Sequence, residues 1–314
     1  MERWEPRRLD GEEKAACRGL WEQIFTEDSA AFLDYYDRWK LAENECWGIF
    51  CGGRLASMLQ LNPYRMQVRG RTVESRYIVA VATAPEYRHR GMMRSLLAES
   101  LKELERRGMP FVFLMPASEA IYRPFGFRYF YEMNTGVLQT SGLSGGKSAL
   151  LAVPAEEDDL PAAAVFSETI LRELSGCYAQ RDEHYLRMLL AELKSENGEL
   201  LLLKEREGGR LCGLIPYWGL EQPEIREILC KDEDREAVLA AAGAYLGERS
   251  GGRPVPVSGA CFPMEGKKPI IMGRILNMPA FLKLFGGEKT AGETPEQLFI
   301  RLAGGSRPFI NEIV

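Results

Sequence analysis

Histidine is nearly absent, with two in 314 residues, and the seven cysteines (17, 46, 51, 177, 212, 230 and 261) form no C-x-x-C pair. A zinc centre needs four such ligands at close spacing, so no metal site is expected. The thiols read instead as buried small hydrophobes in a reducing compartment. No apolar run approaches the ~20 residues that span a bilayer. The opening MERWEPRRLD is charged and lacks the apolar core of a secretory leader, so a cytoplasmic protein with no membrane partner is expected. The chain has no G-x-x-x-x-G-K-[ST] loop and no G-x-G-x-x-G turn, which sets aside the common nucleoside-triphosphate and dinucleotide sites. It also lacks an excess of positive charge: the net charge of −5 argues against a nucleic-acid binder.

What is present is an ordinary globular composition, 46% apolar and 27% charged, long enough for two domains and a fragment. Two Gly/Ser-rich breaks, TSGLSGGKS (140–148) and GERSGGRP (247–254), read as linkers or long turns. They suggest pieces of 1–145, 150–250 and 254–314. In the first piece, two helices (GEEKAACRGLWEQIF and SAAFLDYYDRWKLA) precede a strand, a Gly-Gly turn and a second strand. The β-branched run SRYIVAVATA follows as a central strand. Met92, Met93, Leu96, Leu97, Leu101 and Leu104 recur at three- and four-residue spacing, which predicts a helix over 91–107 ended by Gly108. PFVFLM then reads as another buried strand. This order defines a mixed α/β fold.

The second piece repeats part of the order: the helix RDEHYLRMLLAELKS, then strand, Gly-Gly turn and strand. The strand EIREILC and the helix DREAVLAAAGAYLGE follow. Gly52-Gly53-Arg54-Leu55 and Gly208-Gly209-Arg210-Leu211 occupy the same place in each. The third piece holds PIIMGRILNMPAFLKLF, a strand or turn before a helix, and TPEQLFIRLAG, a helix begun by Thr294 and Pro295. The chain closes on the apolar stretch PFINEIV, suited to burial rather than fraying.

One junction is electrostatically odd. The helix at 91 is entered through Arg88, His89, Arg90 and Gly91, although a helix N-terminus already carries about half a positive charge. Each cation there costs about 0.3–1 kcal/mol unless an anion compensates. A strand leading through a glycine into a helix start is a generic phosphate site, and forked guanidinium donors suit a pyrophosphate. The bland alternative is a solvated, arginine-rich turn held by an acid such as Glu86.

The stretch VATAPEYRHRGMMRSLLAESL resembles the acetyl-CoA motif, [QR]xxGx[GA], of the GCN5-related N-acetyltransferase (GNAT) superfamily. Arg88 and Gly91 match; Met93 stands where the family usually has Gly or Ala. Bulky residues there resemble the enhanced-intracellular-survival branch, which fuses two acetyltransferase-like domains to a sterol-carrier-like C-terminal region. The resemblance implies tandem GNAT-like domains (1–145 binding acetyl-CoA, 150–250 a degenerate second copy) and a shortened sterol-carrier-like region over 254–314. It implies that Val81, Ala82 and Thr83 meet the pantetheine arm. Arg88, His89, Arg90, Gly91, Met92, Met93 and Arg94 would hold the pyrophosphate, and Ser118 would join the cofactor site. In the second copy the matching helix is entered through Lys231, Asp232, Glu233 and Asp234: good caps that would repel a diphosphate, so one cofactor site is expected.

Acetyl transfer to an amine moves two protons. In SEAIYRPFGF, Tyr122 matches the tyrosine the family places near the thioester sulfur as general acid. By the same resemblance the base is the C-terminal carboxylate, here that of Val314, with Glu119, Glu74 or water as rivals. Trp21, Phe25, Phe32, Tyr35, Tyr36 and Trp39 fall at helical spacing and read as core; His184 is given no role. The expected function is an N-acetyltransferase acting on a primary amine, whether a small molecule, an aminoglycoside-like compound or a lysine. The alternative is a non-catalytic acyl-CoA-binding sensor. The resembling proteins commonly assemble, so a homo-oligomer is an open expectation.

Overall fold

The computed structural model describes residues 4–140 and 148–312. The chain divides into two compact units, one built from residues up to Phe130 with Ile271–Ser306, the other from Tyr131–Ile270 with Arg307–Glu312.

The first unit begins with β1 (Arg7–Arg8), α1 (Ala16–Ile24) and α2 (Ala30–Glu43). Ser29 starts α2 by accepting the Phe32 amide at 3.0 Å, the usual N-cap arrangement. Its buried face, Phe32, Leu33, Tyr35 and Tyr36, meets Trp21, whose ring lies 4.5 Å from that of Tyr36. Strand β2 (Glu45–Cys51) turns into β3 (Arg54–Val68) through Gly52 and Gly53, both at positive φ (54° and 79°). Two successive left-handed residues give the turn whose twist matches a hairpin, and glycine adopts them without a Cβ penalty. β4 (Arg71–Thr83) runs antiparallel to β3, and after α3 (Met92–Arg106) the strand β5 (Phe111–Leu114) joins β4 in parallel. The helix expected from leucine spacing lies as read: Leu96, Leu97, Leu101 and Leu104 are buried against Ile49, Leu59, Leu61, Val112 and Leu114. Each such side chain contributes about 1.5–3 kcal/mol of transfer free energy. The short helix α4 (Glu119–Tyr122) follows, and then β6 (Arg128–Leu138), whose residues from Tyr131 onward belong to the second unit.

The second unit repeats this plan with β7 (Leu150–Pro154), α5 (Leu160–Leu174), β8 (Cys177–Ala179), α6 (Glu183–Ser195), β9 (Glu199–Glu205) and β10 (Leu211–Trp218). EIREILC is not one strand, because β11 (Glu224–Ile225) and β12 (Leu229–Cys230) are separated by Arg226 to Ile228. GERSGGRP is not a linker either. Its first half is the last turn of α7 (Arg235–Ser250), and Gly251, left-handed at φ 63°, caps that helix before β13 (Val255–Ser258). A left-handed glycine just past a helix end is a stop signal, which composition alone does not separate from a loop.

The remaining chain divides between the units. β14 (Gly266–Ile275) enters the first from Ile271 onward and pairs antiparallel with β5. α8 (Met278–Phe285) and α9 (Pro295–Phe299) follow there, α9 capped by Thr294 with Pro295 in its first turn. β15 (Pro308–Phe309) returns to the second unit beside β8. Each unit thus has the same strand sequence: β1-β2-β3-β4-β5-β14 in one, β7-β9-β10-β11-β13-β6 in the other, with β12 also on β10. In both, antiparallel hairpins lead to one parallel pair, and an antiparallel strand from a later or earlier part of the chain closes the series. This is a mixed α/β fold built twice. No helix among the described residues is long and apolar enough to cross a membrane.

Candidate active site

The site is organised by an irregularity in β4 that the sequence does not announce. Met58 faces Ala82 and Gln60 faces Val79, so the single residue Leu59 opposes both Ala80 and Val81. Ala80 sits at φ +51°, a left-handed conformation that costs a non-glycine residue about 1–2 kcal/mol. Such a bulge bends the strand and ends its pairing on one side. The parallel ladder to β5 accordingly consists of Tyr77 with Phe113, before the bulge. Beyond it, Ala84 donates its amide to Ala56 at 2.9 Å. By strand alternation the backbone groups of Ala82 then face β3, and those of Val81 and Thr83 face the side β5 has left. Ser57 fixes this stretch: its hydroxyl donates to the Ala82 carbonyl at 2.9 Å and lies 2.7 Å from the Thr83 hydroxyl.

After Thr83 a 3-10 turn (Pro85–Tyr87) leads through Arg88, His89 at φ +61°, and Gly91 at φ +82° into α3. No side chain caps α3, unlike α2, α6, α8 and α9, each of which has a capping oxygen. The cations are not neutralised by acids. Glu86 pairs with Arg54 at 3.6 Å, while Arg90 donates to the Glu86 backbone carbonyl (2.8 Å) and Arg88 to that of Thr83 (3.2 Å). Among the described residues, Arg88, His89, Arg90 and Arg94 form no ion pair with a carboxylate, and all four are exposed. Arg94 lies over the Phe125 ring at 5.7 Å, bringing the start of α3 to the segment that carries Tyr122.

Tyr122 is the last residue of α4, buried to 6% exposure, with its ring edge-on to Phe127 at 6.0 Å. It shares a cluster with Met92, Leu96, Leu97 and the half-buried Val81, Met93 and Phe125. Burial pushes its phenol up to about 12. Its hydroxyl has no hydrogen-bond partner among the described residues. Ser118, exposed at the start of α4, makes no capping bond. Glu119 pairs with Arg123 at 3.2 Å. Glu74 pairs with Arg76 at 3.6 Å and is 75% exposed. It lies nine residues before Thr83 on β4, roughly 30 Å along the strand. Val314 lies outside the described residues; the residues leading to it, Phe309 to Glu312, are buried.

The second unit supplies a contrast. Arg210, in the Gly-Gly-Arg-Leu turn, grips Asp234 through two hydrogen bonds of 2.9 and 3.0 Å, and Arg235 pairs with Asp232. Asp232 and Asp234 are therefore ion-pair partners rather than the caps the sequence suggested; no side chain caps that helix. The pairing also repeats across the units, since Arg54 and Arg210 each hold an acid in the turn before the following helix. Beside that helix the strands stay together: Ile225 pairs with Val257, Ile228 bridges Ala260, and the Cys261 amide donates to the Ile228 carbonyl at 2.9 Å. The opening beside β4 has no equivalent there. No cluster of three or more potential metal ligands occurs among the described residues.

Residues 5–130 match the family model of the acetyltransferase (GNAT) domain. The fold of the whole chain is similar to that of a protein of unknown function from Enterococcus faecalis V583, described as a probable N-acyltransferase, with a TM-score of 0.74 at 19% identity, covering 91% of this chain and 75% of that one. It is similar to Eis1 from Mycobacterium abscessus, with a TM-score of 0.61 at 15% identity, covering 89% and 76%. It also resembles a tandem GNAT protein from the clavulanic acid biosynthesis pathway, with a TM-score of 0.58 at 12% identity, covering 87% and 99%. No curated protein matches the sequence. The matched domain, less than half of the chain, is an acyltransferase domain of the GNAT type, and it lies in a chain whose mixed α/β fold is similar to that of a tandem protein. Domains of this type use acetyl-CoA and act on amine acceptors.

Proposed function

We propose that this protein is an N-acetyltransferase that moves the acetyl group of acetyl-CoA to a primary amine through the first unit alone. The observation that carries the reading is the set of basic side chains Arg88, His89, Arg90 and Arg94, paired with no carboxylate, at an uncapped helix start next to a strand edge freed by the Ala80 bulge. Free amides at Gly91 to Arg94 and forked guanidinium donors fit a pyrophosphate. The outward backbone groups of Val81 and Thr83 fit an extended amide-bearing arm such as pantetheine. Ala82 serves indirectly, through its bond to Ser57, and Ser118 offers an uncommitted hydroxyl.

Acetyl-CoA supplies an activated acetyl group as a thioester. Tyr122 supports departure of the thiolate. Full proton transfer from a phenol near 12 to a thiol near ~8.5 is uphill by about 5 kcal/mol. The phenol therefore acts mainly by donating a hydrogen bond to the developing thiolate, in surroundings where burial strengthens that bond. The incoming ammonium must lose a proton. The Val314 carboxylate is our first candidate base, and it is effective only if desolvation lifts it above ~3.5 or a water relays the proton. Glu119 is already paired with Arg123, and Glu74 is remote along its strand.

The test combines binding and turnover. In the wild type acetyl-CoA raises Tm, and an amine panel releases CoA thiol. Arg88→Glu is expected to abolish the Tm shift. Tyr122→Phe is expected to keep the shift and lower kcat about 100-fold. A Tm shift unchanged in Arg88→Glu overturns the anion site. Acetyl-CoA binding with no thiol release for any amine selects the sensor reading instead.

A further inference from the structure

The paired edge in the second unit carries two thiols in an arrangement that the proposed activity does not use. Ile228 of the segment between β11 and β12 bridges Ala260, and each strand then delivers a cysteine: Cys230 at the end of β12 and Cys261 just past β13. The Cys230 amide donates to the Cys261 sulfur at 3.4 Å, and the Cys261 thiol donates back to the Cys230 carbonyl at 3.3 Å. The Cys261 sulfur thus lies against the Cys230 backbone on both its donor and its acceptor side. With Ile228 level with Ala260, Cys230 and Cys261 are one residue out of step; strands ~4.8 Å apart and a rise of ~3.3 Å per residue put such a diagonal pair of Cα atoms roughly 6 Å apart, inside the ~4.4–6.8 Å range that a disulfide spans.

The two sulfurs are not equivalent. Of the seven cysteines only Cys261 is not fully buried. Cys230 donates to the Cys261 sulfur, which favours the Cys261 thiolate and holds its pKa below the ordinary thiol value, while Cys230 is pushed up. A partly exposed thiol that ionises more readily, with a buried thiol against it, is the division of labour that thiol–disulfide exchange needs. Cys17 and Cys46 also influence each other's ionisation, but both are buried at 1% and 0% exposure, so no reagent meets either first.

We propose that Cys230 and Cys261 are an oxidisable dithiol that closes to a disulfide by exchange with a small-molecule disulfide. The Cys261 thiolate attacks one sulfur of the reagent, forming a mixed disulfide and expelling one thiolate, which takes up a proton. Cys230 gives up its proton and attacks the Cys261 sulfur, and the second reagent thiol leaves. Two protein thiols are oxidised and one disulfide is reduced to two thiols. The product bonds β12 to the exit of β13 covalently, at the place where the first unit holds the corresponding strands apart.

The experiment equilibrates the full chain with oxidised glutathione under native conditions, blocks free thiols, and digests without reduction. The expected result is a linked peptide joining Cys230 to Cys261 and a fall in titratable thiols from the seven of the sequence to five. We also expect a Tm rise of roughly 5–10 °C that dithiothreitol reverses and that is absent in Cys261→Ser. Three results overturn the proposal: all seven thiols surviving, a glutathione adduct that stays on Cys261 without passing to Cys230, or a Cys17–Cys46 link forming in its place.

Discussion

Ala80 shows how much one residue can carry. It interrupts neither the apolar character nor the length of SRYIVAVATA, and it sits in the left-handed region in the middle of a strand. Alanine tolerates that conformation at modest cost, whereas a β-branched side chain does not. Ala80→Val is expected to destabilise the protein by about 1–3 kcal/mol, read from urea unfolding, and to weaken the acetyl-CoA-dependent Tm shift as β4 straightens. Tyr122 makes a second prediction at this scale. Its phenol is held near 12 by burial, against an unfolded value near ~10. A group whose folded pKa is raised gives stability that is complete below the unfolded value and lost as pH climbs through the folded one. The wild type should therefore lose up to about 2–3 kcal/mol relative to Tyr122→Phe between pH ~10 and ~12. Alkaline melting curves of the two proteins measure that difference, and parallel curves would remove the burial argument.

At the scale of elements, the helices came through from sequence and the strands came through only in part. α3 declared itself because its leucines recur with the helical period and all face one core. α9 declared itself through Thr294 and Pro295, whose capping and first-turn roles are local. EIREILC failed as one strand because the break falls at Arg226 and Glu227, both buried, and the partners that make such burial tolerable are distant in sequence. The docking of α8 and α9 on β14 depends on one glycine. A Cβ on Gly273 would lie 2.3 Å from the Phe299 ring and 3.0 Å from Phe130. Gly273→Ala is expected to cost about 1–3 kcal/mol through overpacking. Loss of near-ultraviolet dichroism from the phenylalanine cluster would report the displaced helices.

For the whole molecule, the Gly-Gly-Arg-Leu pair hinted at a repeated plan, and the two units have the same strand order. The third piece, 254–314, is shared: β13 belongs to the second unit, Ile271–Ser306 to the first, and Arg307–Glu312 to the second again. That last return is held by a buried ionic cluster. Arg181 pairs with Glu312 and, at 2.9 Å, with Glu227, while Asn311 donates to Glu227 at 3.0 Å and accepts from the Tyr131 hydroxyl at 2.6 Å. The three charged side chains are at most 6% exposed. Arg181→Met leaves two buried carboxylates without their counter-charge and is expected to cost about 3–5 kcal/mol in urea unfolding. A cost below about 1 kcal/mol would mean that water or another cation replaces the arginine.

The sequence by itself determined the elements whose cause is local: periodic helices, capped starts, glycine hairpins and a run of cations at a helix start that asks for an anion. These follow from interactions within a few residues, so the string contains them. The tertiary structure alone decided that β4 breaks its pairing at Ala80, that Arg210 claims Asp234 before α7, and that Cys230 meets Cys261 thirty-one residues away. Each of these depends on which distant segments share an edge or a buried charge, and nothing in the spacing of one strand records its neighbour.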